Sequence, residues 1–148
     1  MEVVQIFSNK KQFLELLLLA DEQESMIDRY LEAGDLFALY DGDLRSVCVV
    51  ARVDDRIYEI KNIATYEEFQ GKGYGKYLVR FVLEHYRDEC DIMFVGTGDC
   101  PNATKFYEKC GFTYSHRIEN FFVDNYDHPM FESGIQLIDM VCFKKELR

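Results

Sequence analysis

The chain has 148 residues, 48% of them hydrophobic with twelve Phe and ten Tyr, enough to bury a core as a single domain spanning residues 1–148. Its 17 basic against 27 acidic residues give a net charge of -10, which excludes a surface built to neutralise nucleic-acid phosphates and suits cationic partners. No apolar run approaches bilayer length and no leader pattern opens the chain, so a cytoplasmic protein without a membrane partner is expected.

Val3 to Phe7 has strand character, and Ser8 or Asn9 is placed to cap a helix through Phe13, Leu16 and Leu17 to about Ala20. Met26, Ile27, Tyr30 and Leu31 recur at helical spacing after an acidic start at Asp21 to Glu24, which predicts a second helix with Gly34 as its C-terminal cap residue. Leu36 to Tyr40, Ser46 to Val53 and Ile57 to Thr65 then form an antiparallel meander, turned at Asp41-Gly42-Asp43 and at Asp54-Asp55. The period changes to helical from about Tyr74, with Leu78, Phe81, Val82 and His85 on one face. The short apolar run Ile92 to Val95 follows, so Ile57 to Val95 is a strand–helix–strand crossover with parallel strands. A short helix from about Asn102 to Cys110 ends at Gly111, and strands Phe112 to Ile118 and Ile135 to Lys144 flank a long loop.

Five cysteines (Cys48, Cys90, Cys100, Cys110, Cys142) form an odd set without a C-x-x-C pair, which fits neither a disulfide framework nor a zinc site. Cys48 and Cys142 sit in apolar runs and are expected in the core; Cys100, in Gly98-Asp99-Cys100-Pro101, is the one cysteine in a position open to nucleophilic use, with no neighbouring His or Lys to activate it. No metal site is expected.

Gln70-Gly71-Lys72-Gly73-Tyr74-Gly75 lies between a strand and a helix. Glycines there let the backbone turn sharply and aim several N–H groups into one concavity, to which the helix adds its positive end, so a pyrophosphate is the natural occupant. A Walker A loop would need Gly at Gln70 and Ser or Thr at Tyr77, and a dinucleotide fingerprint would need Gly at Lys76; neither pattern is met.

The pattern Gln/Arg-x-x-Gly-x-Gly/Ala, met by Gln70, Gly73 and Gly75, resembles the pyrophosphate loop of the GNAT superfamily of acyl-CoA-dependent N-acetyltransferases. The segments Tyr58 to Thr65 before it and Asn102 to Phe112 after it resemble that family's flanking motifs, so the likeness covers residues 35 to 118 in order. It implies an α/β (α+β) GNAT fold, a mixed sheet of about seven strands with helices on both faces, and an acyltransferase that moves an acetyl group from acetyl-CoA to a primary amine by direct attack in a ternary complex. By the same resemblance, the strands Ile57 to Thr65 and Ile92 to Gly96 splay apart to admit the pantetheine arm, held by main-chain groups of Ile63, Ala64 and Thr65. An N–H near Ile63 would point at the thioester oxygen. Gln70, Gly71, Lys72, Gly73, Tyr74, Gly75 and Lys76 would hold the pyrophosphate.

Tyr107 occupies the family position from which a phenol reaches the departing thiolate, or it packs its helix on the sheet. Asn102 either contacts coenzyme A or caps its helix. Glu59 is the candidate base for the amine, though strand alternation can equally turn it to solvent. His85 is expected as a partly buried helix residue, while His116 and His128 are weaker candidates for catalytic contact.

Glu119 to Glu132 carries four carboxylates with Phe121, Phe122, Tyr126 and Phe131 and no Lys or Arg. It is either a lid that draws and stacks a small cationic amine, or a solvated acidic loop, or a contact between two copies in a homodimer. A protein N-terminus or lysine as acceptor, and a non-catalytic module that senses acyl-CoA, are the competing functions.

Overall fold

The computed structural model describes residues 1–148. The hydrophobic pattern resolves into one seven-stranded mixed sheet, a two-stranded hairpin and helices on both faces of the large sheet. The strands are β1 (Glu2–Ile6), β2 (Asp35–Asp41), β3 (Asp43–Asp54), β4 (Ile57–Thr65), β5 (Ile92–Gly98), β6 (Thr113–Ile118), β7 (Met130–Glu132), β8 (Ile135–Leu137) and β9 (Met140–Glu146). The helices are α1 (Leu14–Ala20), α2 (Glu24–Ile27), α3 (Tyr74–His85), α4 (Pro101–Lys109) and α5 (Phe121–Asn125). No helix is long and apolar enough to cross a membrane.

The large sheet runs β1-β2-β3-β4-β5-β9-β6, and β4 with β5 is its one parallel pair. Alternation divides the buried side chains between two cores. Leu36, Ala38, Val47 and Val49 face Phe13, Leu16, Leu17, Ile27 and Leu31 on the α1–α2 side. Phe37, Leu39, Cys48 and Val50 face Leu78, Val79, Val82, Tyr86 and Tyr107 on the α3–α4 side.

Four local expectations are corrected. The first helix opens as a 3-10 turn, Lys10–Phe13, and Asn9 enters it at φ 52° without a side-chain cap bond. The second helix stops after one turn, at Ile27, where the chain tightens into three-residue turns (Arg29 N donates to Met26 O and Tyr30 N to Ile27 O, both 3.1 Å), and the buried Lys10 Nζ holds the segment that follows by donating to Leu31 O (3.2 Å), Glu32 O (3.0 Å) and Gly34 O (2.6 Å). Gly34 is required for close approach and not for a left-handed cap, since a Cβ there would lie 2.7 Å from Tyr30 O and 2.8 Å from Val49 Cγ1. Finally, Ile135 to Lys144 is two strands. β8 pairs with β7, β9 joins the large sheet, and Asp139 fixes the break by accepting from Asn120 N (2.9 Å) and Arg117 Nη1 (3.3 Å).

Two irregularities in β4 create the site. β4 stays paired with β3 as far as Thr65, but with β5 only over Ile57–Ile60 against Ile92–Val95. Beyond that the two strands part. Within the β3–β4 ladder, Val50 pairs with Ile60 and Val49 with Asn62, so Lys61 is an extra residue, a β-bulge. The bulge breaks the alternation. Tyr58, Ile60 and Ile63 face the α3 side, whereas Asn62 and Ala64 face the α1 side.

Candidate active site

At its donor end, the site is made chiefly of backbone. β4 leads through a 3-10 turn, Glu67–Phe69, into Gln70, whose Nε2 donates to Thr65 O (3.1 Å) and ties the loop back to the strand. Gly71 (φ 78°) and Gly73 (φ 89°) then take left-handed conformations that side chains resist, and Gly73 occupies the N-cap position of α3. The first backbone N–H after Gln70 to find an acceptor in the chain is that of Tyr77, on Gly73 O (3.0 Å). The six N–H groups from Gly71 to Lys76 are therefore available to an external acceptor, at the positive end of a twelve-residue helix.

The flanks of the loop are braced. Tyr74 Oη donates to Asp41 Oδ2 (2.7 Å), and the Arg45 guanidinium lies 3.9 Å from the centre of the Phe69 ring. Lys72 is exposed and Lys76 half-buried, both beside the loop. Gly75 lets α3 approach α4: a Cβ there would meet the Phe106 ring at 3.3 Å.

Where β4 and β5 part, a cavity of about 570 Å³ opens. Gln70, Thr65, Ala103 and Tyr107 line its donor end; Ile63, Ala64, Gly96 and Thr97 line the gap between the strands. Leu19 to Glu22, Met26, Tyr30, Glu59, Lys61, Asn62 and the segment from Phe121 to Met140 line the far end. One continuous space thus runs from Gln70, at the start of the glycine-rich loop, through the gap to the residues of α1 and the Phe121–Met140 segment.

Tyr107, on α4, is buried with its ring among Phe106, Phe112 and Phe143. Burial raises its phenol well above the usual tyrosine value, so it is protonated at neutral pH. Asn102 is exposed in the first turn of α4 and outside the cavity lining. Neither does it cap: the N-cap residue is Cys100, and Pro101 begins the helix. Cys100 itself is 1% exposed, which removes it as a nucleophile.

Glu59 lies on the cavity wall, not in solvent, with its carboxylate 3.3 Å from Lys61 Nζ. The three histidines stand apart from the cavity. His85 is exposed with its ring edge on Phe37 (centroids 5.0 Å), a correction to its expected partial burial. His116 is exposed beside Ser115, and His128 is exposed against Asp127, which raises its pKa. No set of three or more His, Cys, Asp or Glu side chains is gathered as a metal site.

A splayed parallel pair beside a glycine-rich helix entrance is the arrangement that the sequence resemblance implies, and comparison with known proteins decides the family. Residues 3–112 match the family model described as Acetyltransferase (GNAT) family. The chain belongs to the GNAT acetyltransferases. It is 39% identical over 130 residues to an uncharacterized N-acetyltransferase, YvbK, of Bacillus subtilis strain 168, covering 86% of this chain and 84% of that protein. Among solved structures, it superposes on a GNAT family acetyltransferase from Elizabethkingia anophelis with acetyl-CoA bound, at TM-score 0.92 and 32% identity over 98% of this chain and 97% of that one. A Bacillus subtilis acetyltransferase in complex with CoA gives TM-score 0.90 and 33% identity, again over 98% and 97%.

As a GNAT acetyltransferase, the protein is an acyltransferase, and the far end of its cavity carries a network of polar side chains. Sequence reasoning missed most of the residues there. Asp21 accepts from Tyr30 Oη (3.0 Å) and Tyr126 Oη (2.6 Å), and Asn62 Nδ2 donates to Leu17 O and Tyr30 Oη, both at 3.1 Å. The one signal in the sequence was Asn62 itself, a residue type that strands disfavour, set in an otherwise apolar stretch.

Proposed function

We propose that this GNAT acetyltransferase takes its acetyl group from acetyl-CoA and passes it to the primary amine of a small cationic acceptor, by direct attack in a ternary complex. The observation that carries this reading is the single cavity through the β4–β5 gap, with Tyr107 at its donor end and Glu59 at its acceptor end. Donor and acceptor can meet there without a covalent enzyme intermediate.

In this reading Gln70 and the backbone from Gly71 to Lys76 hold the pyrophosphate, Lys72 and Lys76 add charge, and Asn102 lies beside them at the start of α4. Main-chain groups of Ile63, Ala64 and Thr65 pair with the pantetheine arm in place of the missing β5 partners. The Ile63 N–H stabilises the negative charge that builds on the carbonyl oxygen. Glu59 takes the amine's proton, directly or through water, and Tyr107 supplies a proton to the departing thiolate.

Glu22, Glu59, Asp21 and Glu132 line the acceptor end against Arg29 and Lys61, which favours a cationic acceptor. The aromatic segment acts as a cover: Tyr126 reaches Asp21, and Asp127 N donates to Gln23 Oε1 (3.1 Å), closing it over the α1–α2 turn. That enclosure favours a small amine over a protein N-terminus or lysine.

The test is to incubate the protein with acetyl-CoA and a panel of amines and peptides and follow thiol release. Amine-dependent release supports transfer. Release with peptides alone would move the acceptor to proteins, and acetyl-CoA binding without release under any amine would leave a sensor. Absence of acetyl-CoA binding by calorimetry would overturn the reading.

A further inference from the structure

The acceptor end holds polar groups that acetyl transfer to a simple monoamine leaves without a task. Asn62 is 4% exposed, and its Oδ1 is the buried side-chain oxygen that has no hydrogen-bond partner. Flipping the amide would not help, since it would set that oxygen against the Leu17 carbonyl, acceptor to acceptor. Asn62 Nδ2 also donates to Tyr30 Oη, which leaves the Tyr30 proton for Asp21 Oδ2. Tyr126 donates to the other Asp21 oxygen. The Asp21 carboxylate is thus oriented by two phenols and not neutralised by either. By contrast, Glu59 has Lys61 as its counter-ion. Asp21, Tyr30, Asn62 and Tyr126 all line the cavity. Of the two cavity cations, Lys61 stands with Glu59, and Arg29 reaches Asn125 Oδ1 (3.3 Å).

We propose that Asp21 and Asn62 Oδ1 form a subsite for a second, non-reacting ammonium group, so that the acceptor is a diamine or polyamine. This rests on the amine acetyltransferase reading and adds a division of labour to it. The reacting nitrogen must be neutral to attack, whereas a nitrogen held against a carboxylate stays protonated, so one nitrogen cannot serve both ends. An ammonium brings three donors and no acceptor, which matches a site whose available groups are acceptors and whose phenol protons are already committed.

The test is calorimetric titration of the full chain, saturated with coenzyme A, using 1,4-diaminobutane and 1,6-diaminohexane against n-butylamine and n-hexylamine. At least one diamine is expected to bind about tenfold or more tightly than the monoamine of equal length, as a charge-assisted contact warrants. Asp21→Asn, which keeps the shape but removes the charge and one of the two acceptor oxygens, is expected to erase that advantage, lowering diamine affinity about tenfold or more and monoamine affinity much less. Asn62→Leu is expected to reduce it, with Asp21→Asn deciding if the leucine variant fails to fold. Equal affinities in the wild-type protein, or an undiminished diamine advantage in Asp21→Asn, would overturn the subsite. So would an equal loss of kcat for diamines and monoamines in that variant, which would make Asp21 part of proton removal. Diamine binding that depends on Asp21 but yields no thiol release would keep the subsite and sink the transfer reading; thiol release with monoamines equal to diamines would do the reverse.

Discussion

The two ends of the cavity are built by different means. The donor end comes mostly from one stretch of chain, Ile63 to Lys76, with Ala103 and Tyr107 added from α4, and works chiefly through backbone: unpaired strand edges, two left-handed glycines and six free N–H groups at a helix start. The acceptor end comes from side chains of Asp21, Tyr30, Glu59, Asn62 and Tyr126, which lie up to 105 residues apart, as the Tyr126–Asp21 bond shows. A backbone site tolerates exchange of most side chains and fails when φ is constrained. A side-chain site behaves in the opposite way, with each group separable from the fold.

That contrast can be broken by four variants. The largest effect is expected at the junction. Tyr107→Phe removes the proton donor and should lower kcat by about a hundredfold or more while acetyl-CoA affinity stays within about twofold, measured by steady-state kinetics and calorimetry. An unchanged kcat would remove Tyr107 as the acid. Next, Gly73→Val places a β-branched residue at φ 89°, where nothing lies within 4 Å of the new Cβ, so the penalty is conformational and not steric crowding. Acetyl-CoA should bind on the order of tenfold to a hundredfold more weakly. Normal binding would mean that the loop does not act through its backbone shape.

Glu59→Gln should lower kcat about tenfold at neutral pH, with recovery as rising pH supplies neutral amine without a base. A deficit constant with pH would assign Glu59 to positioning. The smallest effect is expected from Tyr126→Phe. Losing one phenol from Asp21 should raise the acceptor KM about fivefold and leave donor affinity untouched, in keeping with a single hydrogen bond of about 1 kcal/mol. A matching loss of donor affinity would deny the separation of the two ends.

Legibility in the sequence follows the same division. The strand Ile57–Thr65 and the helix from Tyr74 were plain from their periods, and the loop between them from glycine spacing, because each depends on neighbours in the chain. The seven-strand count also held. The second helix did not keep its predicted length, since the spacing of Tyr30 and Leu31 fits a run of tight turns as well as a helix, and it carries no trace of Lys10, twenty or more residues upstream, which holds the turns' end by the Leu31 and Glu32 carbonyls. Asp139 likewise ends a strand through partners on β6 and before α5. At the acceptor end, strict alternation placed Glu59 ambiguously and drew no attention to Asn62. Glu59 follows the regular alternation on the side opposite Tyr58 and Ile60, and the bulge that decides the face of Asn62 is visible only in the pairing with β3.

That bulge makes the strand a message with a spacer in it. Tyr58, Glu59 and Ile60 are read in one phase, Asn62 to Thr65 in the other, and Lys61 is the character that shifts the frame. Side chains along β4 can therefore be exchanged one at a time, but straightening the bulge with Lys61 kept in the ladder opposite Val49 would rotate every later residue by half a turn. Asn62 and Ala64 would exchange faces with Ile63 and Thr65, turning the acceptor's contacts toward α3 and an isoleucine toward Leu17. Loss of Lys61 itself would leave Ile60 and Asn62 opposite Val50 and Val49, so a close relative whose β4 is shorter by this one residue is expected to keep the same faces.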